Sequence, residues 1–345
     1  MSPVTSYQTT IPYEEQDFAV LSLAVDSKGR ALMLGVVRGG TGKRLQQYST
    51  RMFSFAAGAK KYDDKELKIE GKYISNAYIR FATDEKLMIT GFYNAMSDKG
   101  KNEGIEGAFI STVIVEGLDN PDLHVQKIDP IVKASITPQG GLAKMFNLDE
   151  LNAYFIRTIA LHPDGSGYVI AEQRAIVVSE DERTYTKTAY FNHMIVYRFD
   201  ANQEITTMSA IPKEQVTSVT APKINLGIVS IRIWTGSMQR LLYKYNSYLD
   251  TEINGDIYIM YNDHRDNGNA RTVKEVKTMS NKKNANAVVV KVGTDGKWDK
   301  ETLFNGKDVD VILETSSSYV IPGVGFVLSA ERGKELQYGK CTLNK

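Results

Sequence analysis

One pattern recurs through this chain: an apolar run, a tight turn of Asp, Gly or Asn, a second apolar run, a polar loop, a third run and usually a fourth. In the first unit FAVLSLAV turns at DSKGR into ALMLGVV, and QQYSTRMFSF and KELKIEG follow GGTGKR. In the second AYIRFA turns at TDE into KLMITGFY, and GAFISTVIV and LHVQKI follow a polar stretch. The third reads YFIRTIAL, HPDGSG, YVIAEQ, a loop, HMIVYRFD and EITTMSAIP; the fourth reads SYLDTEI, NGD, IYIMYND, a loop, NAVVVKV and KETLFNG. The fifth reads SSYVI, PGVG, FVLSAE and YGKCTLN, and lacks a fourth run. Short runs rich in Val, Ile, Tyr, Phe, Leu and Thr, bounded by turn residues, predict antiparallel strands in a meander. Helical periodicity shows only in FNLDELNAYF, residues 146 to 155, for about one turn.

A four-stranded meander repeated about an axis is a propeller blade, so the expected fold is all-β, a β-propeller of four-stranded antiparallel blades in one domain, 1–345. The units map to 17–72, 73–130, 146–213, 241–306 and 310–345, with 218–240 as an insertion. YQTTIPYEEQ (7–16) resembles TMSAIPKEQ (207–215), the last strand of the third unit and its exit. Residues 1–16 are therefore expected to supply a closing strand and link, with Tyr7 to Ile11 beside Tyr338 to Leu343, giving five blades and no open edge. The alternative is the later part of a larger ring.

The phrases LMITGFY with GIEGAFIS, GYVIAEQ with HMIVYRFD, IPKEQ, and IYIMYNDH resemble an uncharacterised family of Bacteroidetes envelope or secreted proteins with propeller-like β repeats. The resemblance runs from about residue 18 onward. It implies a periplasmic or cell-surface home with a leader removed, and it brings no catalytic residues. By itself the N-terminus MSPVTSYQTTIPYEEQ is not a secretory signal, so the alternative is a cytoplasmic protein.

Charge and composition close several routes. Lys plus Arg number 42 against 41 Asp plus Glu, so no global field calls for nucleic acid or an anionic membrane. Cys341 is the sole cysteine, which excludes a disulfide framework and a thiolate metal site. No run reaches the roughly 18 to 20 apolar residues of a membrane span.

Nor do the local motifs call for a metal or cofactor. GGTGKR (39–44) has Val37 and Arg44 where a phosphate-gripping loop needs Gly and Ser or Thr. NDHRDNGN (262–269), aligned as a calcium loop, puts Arg265 third and Lys274 twelfth, and neither ligates a cation. His124, His162, His193 and His264 have no metal spacing among them, and no HExxH or GxSxG occurs.

A ring of polar residues offers the best candidate site. Aligned second strands place Glu172, Gln173 and Arg174 level with Asn262, Asp263 and His264, and with Ala330, Glu331 and Arg332. The first two units place Arg38 and Tyr93 there. In a propeller these tips share one face, as do the long polar stretches 94–104, 174–190 and 264–286. The last has six basic residues against two acidic ones, suited to an anionic glycan, a lipid headgroup or an acidic patch on a protein, so a glycan or an envelope protein is the expected partner. Three functions follow: a non-catalytic ligand- or protein-binding platform in the cell envelope; a carbohydrate-active hydrolase or lyase using Glu172, Asp263 and Glu331; or a structural subunit held by 218–240, where Trp234 reads as core. The first is the expectation that the failed catalytic motifs support.

Overall fold

The computed structural model describes residues 10–11, 13, 18–39, 47–56, 61–96, 102–118, 123–137, 154–226, 229–232, 234–305, 311–332 and 335–343. These residues form five antiparallel sheets that follow one another along the chain. The first holds β1 (Phe18–Val25), β2 (Ala31–Gly39), β3 (Gln47–Phe55) and β4 (Tyr62–Leu67), neighbours in that order. The second holds β5 (Lys72–Phe81), β6 (Lys86–Met96), β7 (Asn102–Ile114) and β8 (His124–Lys127), and helix α1 (Pro130–Ile136) follows it. The third holds β9 (Tyr154–Leu161), β10 (Gly167–Glu180), β11 (Thr184–Phe199) and β12 (Ile205–Ile211), extended by β13 (Gln215–Leu226) and β14 (Val229–Arg232). After helix α2 (Gly236–Tyr243), the fourth runs through β15 (Leu249–Ile253), β16 (Asp256–His264), β17 (Ala285–Val292) and β18 (Trp298–Asn305). In the fifth, β19 (Val311–Leu313) and β20 (Tyr319–Ile321) are two pieces on one flank of β21 (Gly325–Arg332), and β22 (Glu335–Thr342) lies on the other.

Turn chemistry sets the hairpins. Asn254 and Gly255, at φ 54° and 86°, join the paired Ile253 and Asp256 as a two-residue loop whose twist matches the strands. Period-2 alternation then gives each inner sheet two apolar faces, and both must be covered.

Four cores do this, each between consecutive sheets. Leu32 and Leu34 meet Ile89 and Tyr93 between the first and second; Phe92 meets Tyr154 and Tyr197 between the second and third. Tyr168 and Ile170 meet Tyr248 and Tyr261 between the third and fourth; Met260 and Ala287 meet Leu313 and Phe326 between the fourth and fifth. Away from the strand tips, Glu252 also ties the third sheet to the fourth, through Arg198 at 3.0 Å and His162 at 2.5 Å. Among the described residues no core joins the fifth sheet to the first.

Several expectations are corrected. The stretch 174–190 is no loop: Glu180 pairs with Tyr185 at the end of a hairpin prolonging β10 and β11. The polar runs around 94–104 are likewise mostly strand, through Met96 and from Asn102. The expected insertion 218–240 begins inside β13, which pairs with the outer half of β11, and ends in a helix. Of the helical turn expected at 146–155, Tyr154 and Phe155 are strand and the rest lies outside the described residues. GGTGKR falls almost wholly outside them too. In the expected closing segment Tyr7 to Thr9 lie outside them, while Thr10 and Ile11 belong to no described sheet. No helix among the described residues is long and apolar enough to cross a membrane.

Phe92 is the wedge between the second and third sheets, with ring centres 5.8 Å from Tyr154 and 6.1 Å from Tyr197. Phe92→Ala is expected to lower stability by about 3–5 kcal/mol, read from the urea midpoint, because rings this enclosed leave a cavity that cannot collapse.

Candidate functional site

The second-strand tips of the third, fourth and fifth sheets meet around the link Tyr243 to Tyr248, which carries the chain from α2 into β15. At its centre Glu172 and Lys213 are both 0% exposed and paired at 2.6 Å. Arg174 reaches the other carboxylate oxygen through Nε at 2.6 Å, and Ser247 Oγ donates to it at 2.9 Å. Burial alone would raise the Glu172 carboxyl; the charges of Lys213 and Arg174 outweigh it and hold it below the usual range. Burial also pulls down the neighbouring His193, to about 3, with the Lys213 charge acting in the same direction.

Hydrogen bonds carry this centre to the other tips. Lys213 Nζ donates to Gln215 Oε1 at 2.7 Å, Gln215 Nε2 donates to the carbonyl of Asn262 at 2.7 Å, and the Ser247 amide donates to Gln215 Oε1 at 2.9 Å. Asn262 Nδ2 donates to the carbonyls of Tyr245 at 2.8 Å and Leu313 at 2.7 Å, binding β16 to the link and to β19. Lys244 Nζ lies 2.6 Å from Glu314 and 2.7 Å from Glu331, and Glu331 also holds Lys282 and the Tyr245 hydroxyl. Ser247, at φ 70°, occupies the left-handed region that a non-glycine residue seldom adopts, with its amide and hydroxyl both engaged inward.

Beside the link lies a cavity of about 210 Å³, lined by Arg157, Arg174, Tyr243, Asn246, Ser247 and Thr315 among others. Arg157 is the extra residue of a β-bulge: Ile156 and Thr158 face consecutive residues of β10, Ala171 and Ile170. Leu21 and Ser75 occupy comparable bulges in β1 and β5. A bulge re-aims the side chain it carries.

Of the residues expected at the mouth, Glu172, Arg174, Asn262 and Glu331 are joined in this network. Asp263 is buried and held by Lys300 at 2.8 Å and by Asn267 Nδ2 at 2.7 Å, so it is a counter-ion inside the fourth sheet. His264 caps a short 3₁₀ turn, its Nδ1 accepting from the Asp266 amide. Gln173 is buried and accepts from Asn192 Nδ2 at 3.1 Å. Arg332 is exposed and borders a different hollow, near Tyr338.

Tyr93 is a core residue between the first two sheets, its hydroxyl pushed up to about 12 by burial; it lies opposite Gly107, where a larger side chain would strike its ring. Arg38 stands in β2 opposite Tyr48, and its side chain lies outside the described residues. Trp234 is half-buried beside Tyr185, off any strand. Much of the positive charge of 264–286 is matched, by Asp266 for Lys277, Asp299 for Arg271 and Glu331 for Lys282. Among the described residues no group of three or more His, Cys, Asp or Glu is placed to hold a metal.

Aligning second strands alone missed Arg157, Lys213, Lys244 and Ser247, which come from a first strand and from links. The visible signal was Arg157 itself, a charge inside the otherwise apolar YFIRTIAL.

No family model matches the chain, and no curated protein matches it. Among solved structures it is similar to an acylaminoacyl peptidase of Pyrococcus horikoshii (11% identity, TM-score 0.39), covering 95% of this chain and 38% of that one. It is also similar to a thermostable family-43 glycoside hydrolase (10%, TM-score 0.27, 98% of each chain). A third is the β-propeller domain of the Trilobed protease from Pyrococcus furiosus (10%, TM-score 0.29, 94% of this chain and 83% of that one). The chain thus spans well under half the length of the peptidase. At these scores no residue correspondence is drawn. Glycoside hydrolases and arabinofuranosidases recur among the similar structures, against the expectation of a non-catalytic envelope platform.

Two outcomes follow from the ion pairs. Lys213→Met should cost about 3–5 kcal/mol in urea unfolding, because Glu172 is left charged and buried, and Lys213→Met with Glu172→Met should recover part of that loss. Desolvation raises the Glu331 carboxyl, but hydrogen bonds from Lys244, Lys282 and Tyr245 bring it down to about 2. A depressed carboxyl stabilises the fold above its unfolded value and ceases to do so as pH falls through its folded one. Acid titration of Glu331→Gln should therefore show a shallower loss of stability than wild type between about pH 4.5 and 2.

Proposed function

We propose that the five sheets are the blades of one propeller, closed by the N-terminal segment, and that the chain is a carbohydrate-active enzyme working at the tip cavity. The observation that supports this most is the lining of that cavity, where amide and hydroxyl groups (Asn246, Ser247, Thr315) stand beside tyrosines and two arginines. Neutral hydrogen-bonding groups set against aromatic rings suit a sugar. At about 210 Å³ the cavity is smaller than the roughly 300 Å³ where drug-sized pockets begin, which favours one ring at a chain end.

Of hydrolase and lyase, the tips favour the lyase. Glycoside hydrolysis by two carboxylates needs groups free to exchange protons. Glu172, Asp263 and Glu331 are each held by one or two cations and act as counter-ions. Elimination needs cationic support for an acid function of the substrate instead. A base takes the proton on the carbon bearing that function, the C–H electrons become a double bond, and the glycosidic C–O bond breaks. Its electrons go to the leaving oxygen, which takes up a proton. Tyr243 is the candidate base: it lines the cavity, and its hydroxyl has no hydrogen-bond partner among the described residues.

Incubation with panels of neutral and acidic polysaccharides tests this, with new reducing ends and the ultraviolet absorbance of an unsaturated product read together. The expected outcome is both signals on an acidic polymer, with Tyr243→Phe reducing the rate at least about a hundredfold, the scale of a lost general base. Reducing ends without absorbance would make the enzyme a hydrolase, and neither signal on any polymer would refute the enzymatic reading.

A further inference from the structure

We propose that Arg157 and Arg174 form a clamp for a carboxylate, so that the ligand of the tip cavity is an acidic sugar, a uronate. The two guanidinium groups converge on one atom: Arg174 Nη2 donates to Ser247 Oγ at 3.0 Å, and Arg157 Nη1 donates to the same oxygen. Two cationic forks that meet on a single hydroxyl oxygen are close enough to grip one small anion between them, and the paired donors of arginine match the two oxygens of a carboxylate. Both line the cavity, so an entering ligand meets them directly.

The charge around them is not balanced. Among the described residues Glu172 is the only carboxylate ion-paired to this group, and it is shared between Lys213 and Arg174. Among the described residues no ion pair holds Arg157, whose remaining contacts are the Tyr248 carbonyl at 3.4 Å and the Tyr248 ring, 4.9 Å from its centre. Asp250, raised by burial and bonded to Thr158 and Tyr168, is the other acid within reach of the Arg157 charge, so three cations face one ion-paired carboxylate and one buried acid. Unpaired guanidinium held over an aromatic ring and aimed by a bulge is preorganised for an anion, since little freedom is left to lose when one binds. Ser247, fixed by its own bonds to Glu172 and Gln215, keeps the two forks apart at the spacing a ligand oxygen would take over.

The carboxylate suits the enzymatic reading and rests on it for its place in a reaction, since the clamp would neutralise the acid function during elimination. Binding itself is separable. Isothermal titration of the full chain with glucuronate, and with glucose at the same concentration, reads the clamp directly; Arg157→Met and Arg157→Lys are the variants, with circular dichroism confirming that each is folded. The expected result is saturable glucuronate binding, none with glucose, at least about a tenfold loss in Arg157→Met and partial retention in Arg157→Lys, the losses growing smaller as salt rises. Equal binding of glucose and glucuronate, or an unchanged affinity in Arg157→Met, overturns the clamp. Glucuronate binding without turnover of any polysaccharide keeps the clamp and removes the enzyme. Turnover of neutral polymers without glucuronate binding keeps the enzyme and removes the clamp.

Discussion

The arrangement of the tips depends on a fully buried ion pair, Glu172 with Lys213. Two charges taken out of water are tolerated only where each finds its partner and the remaining hydrogen-bonding positions are filled. Filling them recruits Arg174, Ser247 and Gln215, and Gln215 reaches on to Asn262. The polar groups at the strand ends therefore act as mutual ligands, and the link between the third and fourth sheets is drawn in where they meet. Replacing the pair by apolar residues could keep the sheets together, but it would remove the reason for Arg174 to stand where it does.

Below this polar layer the molecule is held by apolar contact between consecutive sheets. Each interface buries aromatic and aliphatic groups from facing strands; Tyr197 carries its hydroxyl to Thr90 at 2.6 Å and Tyr168 to Asp250 at 3.1 Å, while the buried hydroxyls of Tyr154 and Tyr261 have no hydrogen-bond partner among the described residues. Asp250, raised by burial against weaker pulls from Thr158, Tyr168 and Arg157, belongs to that inter-sheet packing. A stack of sheets fixes which strand ends are neighbours. It says nothing about chemistry, and the chemistry comes from what the ends carry.

The repeat was legible because its signals are local: alternation, β-branched and aromatic runs, and turns such as Asn254-Gly255 need no distant partner to be understood. Polar stretches were less so. TYTKTAY alternates, but the partner that keeps it in a sheet, β13, lies in a segment that the repeat marks as an insertion. Helix α1 has an Asp129 cap followed by Pro130, a local helix-start signal that stands outside the strand repeat.

The convergence of Glu172, Asn262 and Glu331 followed from strand alignment. What occupied them did not, because Lys213, Lys244 and Ser247 stand in or beside links whose path is set by the packing of whole sheets. Tyr93 stands beside the bulge at Ser75 as Ala171 stands beside the bulge at Arg157, so it is level with the buried Ala171 and not with Arg174, a register that gapless alignment of second strands does not show.

The central claim is that the link from Tyr243 to Tyr248 is a fastened element and not a surface connection. Site-resolved amide hydrogen exchange measures this. The Ser247 amide, bound to Gln215 inside the network, should exchange only with global unfolding, as slowly as the amides of β16. Exchange of Ser247 at the rate of an open loop, while β16 stays protected, would contradict the account.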